Sequence, residues 1–147
     1  MRIYNFFTSF QEVPNNLSLC FSFAGCPLKC NGCSWQGETS YRECGLDEMK
    51  GIVRKYAPYV SCVCCLGGEW EGVSFVDFLS YCKSLGLKTC LYTGLTEMKN
   101  TDVLNRLDFI KLGPYVERLG GLQKRETNQV FLDVKTGEKL NHLFVKD

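Results

Sequence analysis

Three cysteines within eight residues, Cys26, Cys30 and Cys33 in Gly25-Cys26-Pro27-Leu28-Lys29-Cys30-Asn31-Gly32-Cys33, place three thiolate donors on one short segment. That is one ligand short of a closed site, because a structural zinc or an ordinary iron–sulfur cluster takes four protein ligands. Ligand count leaves two readings. One is a [4Fe–4S] cluster with one iron open to a small molecule. The other is a zinc knuckle completed by a distant thiol such as Cys20 or Cys44. The sole histidine, His142, is near the C-terminus and offers neither a Cys/His zinc pair nor a Cys–His nucleophile. It reads as a surface or satisfied residue.

Periodicity indicates what must hold that segment. Leu17, Leu19, Phe21 and Phe23 alternate with Ser18, Cys20 and Ser22, the pattern of a strand running into the cysteines. Leu46, Met49, Ile52, Val53 and Tyr56 form a helical stripe that stops before Pro58. A second strand is expected over Val60 to Leu66, ending at Gly67-Gly68-Glu69. Ser74 can cap a helix burying Phe75, Phe78, Leu79, Cys82 and Leu85, with Gly86 ending it before a strand over Lys88 to Tyr92 and then Thr93-Gly94. Thr96 opens a shorter helix through Met98, Val103 and Leu104, and Phe109 to Leu112 reads as a strand ended by Gly113-Pro114. Asn128 to Val134 reads as a further strand. A tight turn at Lys135-Thr136-Gly137-Glu138 then leads to Lys139 to Phe144.

Alternating strands and helices predict parallel strands joined by helical crossovers, with ligand sites at the carboxyl ends of the strands. The cysteine segment, Gly67-Gly68-Glu69, Thr93-Gly94 and Gly113-Pro114 each follow a predicted strand, so one sheet edge collects every unusual element. The expected fold is α/β, a partial (β/α) barrel. Its 147 residues suit one domain over 1–147 and are too few for a full eight-unit barrel. No internal repeat or linker argues for a second domain. With 45% hydrophobic and 22% charged residues and a formal net charge of +1, charge makes no case for nucleic-acid or membrane binding. The N-terminus lacks the apolar core of a signal peptide, and no stretch of about 18 apolar residues occurs. A cytoplasmic location is expected. Ten cysteines without a secretion signal read as reduced thiols, ligands or small core residues rather than a disulfide scaffold.

The three-cysteine motif is the signature of the radical S-adenosylmethionine enzymes, which this chain resembles. Four stretches, in order, resemble the activating protein of the anaerobic, glycyl-radical (class III) ribonucleotide reductase more closely. They are Gly25 to Cys33, Leu66-Gly67-Gly68-Glu69-Trp70, Leu91-Tyr92-Thr93-Gly94 and Lys111-Leu112-Gly113-Pro114-Tyr115. A fifth, Thr127-Asn128-Gln129, echoes a Ser-x-Asn-Gln segment of that family. The resemblance covers roughly residues 17 to 137.

The resemblance implies that Cys26, Cys30 and Cys33 hold three irons of a [4Fe–4S] cluster whose fourth iron binds the methionine part of S-adenosylmethionine. Reductive cleavage would then give a 5′-deoxyadenosyl radical that abstracts hydrogen from a glycine of the partner reductase. An electron donor such as a flavodoxin or ferredoxin is implied. Gly67 and Gly68 permit close backbone approach, while Glu69 or nearby carbonyls can accept from the methionine ammonium. Gly32, Cys33 and Ser34 lie where backbone groups would meet the adenosine, and Trp35 reads equally as a stacking surface or a core residue. Lys111 reads more readily as a surface lysine than as a strand-end ligand, and Asn128 as a ligand contact or a turn cap. Cys62 and Cys64 share a strand face that Cys65 does not, which makes them core residues. Cys20, Cys44, Cys82 and Cys90 look scattered. Ser18, Gly32 and Val130 depart from residues common in relatives, which bears on how a reductase is held. A pyruvate formate-lyase type of activating enzyme and a non-enzymatic iron–sulfur or zinc module are the alternatives.

Overall fold

The computed structural model describes residues 1–26 and 40–145. Among them, seven strands form one mixed sheet: β1 (Arg2–Ser9), β2 (Ser18–Phe23), β3 (Arg42–Glu43), β4 (Cys62–Leu66), β5 (Lys88–Tyr92), β6 (Phe109–Leu112) and β7 (Val130–Asp133). Their order is β3-β1-β2-β4-β5-β6-β7. The four central strands β2, β4, β5 and β6 are parallel, while β3, β1 and β7 extend the sheet antiparallel at its two sides. The α/β class holds and the sheet is open.

The helices α1 (Leu46–Tyr56), α2 (Val73–Ser84) and α3 (Thr101–Leu104) connect the parallel strands. They bury Met49, Val53, Phe75, Phe78, Leu79, Cys82 and Val103 against Leu19, Phe21, Phe23, Val63, Cys65, Leu91 and Ile110 of one sheet face. Edge-to-face ring pairs Phe21–Phe78 and Phe23–Phe75 join β2 to α2. The opposite face is covered by Val13, Leu122, Leu140 and Phe144, which close over Cys20, Cys62, Cys64, Leu66, Cys90 and Phe131. Both faces of β2 are therefore buried, Ser18 and Ser22 included, as suits a strand inside a parallel sheet. Its alternation in sequence separates large from small side chains rather than inside from outside.

Several boundaries differ from the sequence expectation. Helix α2 starts after Gly72 rather than on a Ser74 cap, and Leu85, beyond its end, is 38% exposed instead of buried. Helix α3 does not begin at Thr96. The Asn100 side chain accepts from the N–H groups of Asp102 and Val103 and nucleates a single turn there. The strand β1 was not anticipated. After the turn at residues 135–138, pairing is limited to a Leu132–Lys139 bridge, because the Asn141 side chain occupies the backbone groups of Phe131 and Gln129. No helix among the described residues is long and apolar enough to cross a membrane.

Candidate functional site at the carboxyl edge of the parallel strands

Strand register aligns Ser22, Leu66, Tyr92, Lys111 and Phe131 as one lateral row at the carboxyl edge of the parallel strands. Just beyond this row lie Ala24-Gly25-Cys26 after β2, Gly67-Gly68-Glu69 after β4, Thr93 after β5 and Gly113 after β6. The parallel crossovers bring the separate motifs to one edge. Cys26 is half-buried at the described end of its segment. Cys30, Cys33, Gly32, Ser34 and Trp35 lie outside the described residues.

Gly67 and Gly68 both adopt positive φ, +85° and +105°. A Cβ on Gly67 would fall 2.4 Å from Trp70 Cη2, and one on Gly68 would fall 2.9 Å from the Phe23 and Phe75 rings. Each glycine is thus required twice, by its turn and by the aromatic ring lodged against it. The turn delivers Glu69 into a short 3-10 helix, Glu69–Glu71. Thr93 Oγ1 donates to Glu69 Oε1 at 2.6 Å and itself accepts from the Leu95 N–H. Glu69 Oε2 is buried with no hydrogen-bond partner among the described residues. Burial pushes the Glu69 carboxyl above its usual range, a shift opposed by the Thr93 hydrogen bond, its own backbone N–H and the charge of Lys111.

Lys111 is a correction to the surface reading, since it is only 6% exposed. Its Nζ donates to the Gly113 carbonyl at 3.1 Å and lies 5.7 Å from the centre of the Tyr92 ring. Position on the inward face, one residue from the strand end, outweighs the general preference of lysine for water. Tyr92 is half-buried, its hydroxyl donating to the Glu12 carbonyl. Asn128 is exposed and donates to the Pro114 carbonyl, the turn-capping alternative, while neighbouring Gln129 is buried and reaches the Gly113 carbonyl at 3.4 Å. His142 is exposed.

The remaining described cysteines are core residues, with one change. Cys62 and Cys64 share a face and Cys65 takes the other, as the strand period requires. Cys20 and Cys90 are not scattered: they flank Cys64 in lateral register across β2, β4 and β5. Spacing along the chain cannot reveal this, because the register of crossover strands decides it. Burial raises the Cys64 and Cys90 thiols, burial pushes Cys62 up to about 12, and Cys20 is raised by its hydrogen bond with Cys64 and by burial. Neutral, sealed thiols are poor ligands. Cys20 and Cys44, the candidate fourth zinc ligands, sit in separate clusters, and among the described residues no group of three His, Cys, Asp or Glu side chains is arranged to hold a metal.

Trp70 was given no role by sequence reasoning, yet it joins two of the motifs. Its Nε1 donates to the Ala24 carbonyl at 2.9 Å, directly before Gly25-Cys26. The available signal was a large aromatic flanked by glycines. No family model matches the chain, and no curated protein matches it.

Proposed function

We propose that this protein activates an anaerobic ribonucleoside-triphosphate reductase by generating a glycyl radical on it, acting as a radical S-adenosylmethionine enzyme with the partial (β/α) barrel of that class. The observation that supports this reading best is the buried Glu69 Oε2, without a hydrogen-bond partner among the described residues, presented at the same sheet edge as Cys26 and three residues beyond a parallel strand. An orphaned carboxylate oxygen in such a place suits a ligand cation, here the methionine ammonium.

Cys26, Cys30 and Cys33 would hold a [4Fe–4S] cluster. When bound and reduced, that cluster supplies the electron for cleaving S-adenosylmethionine to methionine and a 5′-deoxyadenosyl radical, which takes hydrogen from the partner's glycine. The chain's own residues bind and orient. Thr93 fixes one Glu69 oxygen and leaves the other for the ammonium, and Lys111 lies near enough to temper the Glu69 charge. Backbone groups of Gly32 and Ser34 would meet the adenosine. The electron would come from a donor such as a flavodoxin or ferredoxin in the cytoplasm.

The test is anaerobic reconstitution with iron and sulfide, reduction, and electron paramagnetic resonance with and without S-adenosylmethionine. A [4Fe–4S]+ signal altered by the ligand is expected, followed by a glycyl-radical doublet when the reductase is added. Zinc in place of iron, or a cluster indifferent to S-adenosylmethionine, would overturn the proposal. A doublet on pyruvate formate-lyase but not on the reductase would reassign the partner.

A further inference from the structure

Three consecutive residues of the 3-10 turn Glu69–Glu71 hold three different parts of the carboxyl edge. Glu69 is held by Thr93 after β5, Trp70 reaches the Ala24 carbonyl after β2, and Glu71 Oε2 accepts the backbone N–H of Arg2 in β1 at 2.7 Å. The Ala24 N–H in turn donates to the Arg2 carbonyl at 2.9 Å. The chain entering Gly25-Cys26 is therefore pinned from both sides, by β1 through its N–H and by Trp70 through its C=O. The glycines fit the indole closely: a Cβ on Gly67 would collide with it, and one on Gly25 would stand 3.5 Å from Trp70 Nε1 and 2.7 Å from Arg2 Nη2.

We infer that Trp70 is a positioning residue, setting the stem of the cysteine segment at a fixed separation from Glu69. The inference rests on the functional reading above. An iron at the cysteines and an acceptor at Glu69 must grip one small molecule together, so an error between the two anchors is an error in ligand geometry. Adjacent strands alone hold the backbone only as far as the Ala24 N–H, which β1 takes through Arg2. The indole hydrogen bond carries that registration one residue past the sheet, to the carbonyl before Gly25.

The decisive variant is Trp70→Phe in the full chain, which keeps a ring against Gly67 and removes the N–H. In the metal-free protein, alkylation of Cys26, followed by peptide mass mapping, is expected to rise roughly fivefold, within the range one hydrogen bond confers. The urea midpoint should change little. In the iron-loaded protein, the S-adenosylmethionine concentration that half-converts the paramagnetic signal should rise by a similar factor at unchanged iron content. A folded variant with wild-type Cys26 labelling and wild-type titration would overturn the inference. Should the variant not fold, exchange of the Trp70 indole proton in the wild-type protein, assigned with Trp35→Phe, decides: slow exchange supports the clamp, and exchange at the rate of free indole removes it. If the wild-type cluster ignores S-adenosylmethionine, the functional proposal fails by itself, and Cys26 labelling still reads the clamp.

Discussion

Glu69 presents two carboxylate oxygens in unlike surroundings, one hydrogen-bonded to Thr93 and one buried without a partner among the described residues. Its raised pKa fixes the sign of two effects. Between the ordinary carboxyl value and the raised one, the folded state binds more protons than the unfolded chain, so Glu69 makes stability fall as pH rises through that window. Ligand affinity moves the other way, because only the carboxylate accepts an ammonium as a charged pair. S-adenosylmethionine binding should weaken as pH drops through the Glu69 pKa. Glu69→Gln should lose about tenfold or more in affinity, flatten that acid limb, and leave the urea midpoint at pH 7 unchanged or higher. A titration of the ligand at several pH values, beside urea unfolding, checks both signs. The thiols divide similarly. Cys26→Ala, Cys30→Ala or Cys33→Ala should each abolish iron binding, whereas Cys64→Ala, in a sealed cluster, should lower stability by about 1 kcal/mol and leave iron content intact. Iron loss from Cys64→Ala would overturn the ligand assignment.

At the scale of elements, the turn after β4 carries the site, and its glycines are where it is most easily broken. Gly68→Ala would need φ near +105° and place a methyl group against Phe23 and Phe75, so a loss of about 2 kcal/mol or more is expected in urea unfolding. The central strands were legible in sequence because their apolar runs are short and bounded by turn residues: β5 and β6 have the expected limits, as does α1. Strand β1 was not, because a bulge at Tyr4 shifts its register between Ile3 and Asn5. Ile3 and Phe6, three apart in sequence, thereby reach the same core, and the period of two that marks a strand is lost. Lys111 was misread for a different reason: residue type predicts exposure on average, whereas strand position decides it individually. The partner of Trp70 and the register of Cys20, Cys64 and Cys90 depend on contacts between distant segments, which local spacing does not specify.

For the whole molecule, the two edges of the parallel strands divide their work. At the amino edge, opposite the candidate site, Asp108 accepts from Lys83 Nζ at 2.5 Å and from the Thr89 N–H at 2.9 Å, with Lys135 3.7 Å away. Burial acts to raise its carboxyl, yet Lys83, the Thr89 N–H and Lys135 together hold it below the usual range. Its ionised form therefore stabilises the fold above the unfolded-state pKa, and that contribution disappears as pH falls through the lowered value. Asp108→Asn should cost about 1–3 kcal/mol in urea unfolding at pH 7 and shrink the acid-dependent loss. S-adenosylmethionine binding by the iron-loaded variant should stay at the wild-type level, since nothing at the carboxyl edge is touched. A variant as deficient in ligand binding as Glu69→Gln would show that the two edges are coupled.

The order of the sheet also has a meaning in time. From β2 onward each parallel strand pairs with the one made just before it, and β1 already pairs with β2, so the sheet can widen in the direction of synthesis. The cysteine segment follows β2, but the indole that holds its stem comes 46 residues after Ala24. Between those two moments the thiols exist without their clamp. Under the proposed function, iron delivered to the nascent chain would meet a stem not yet held at Ala24, whereas iron delivered after β4 and its turn have docked would meet a held one, so loading is expected after translation of that turn rather than at the emergence of the cysteines.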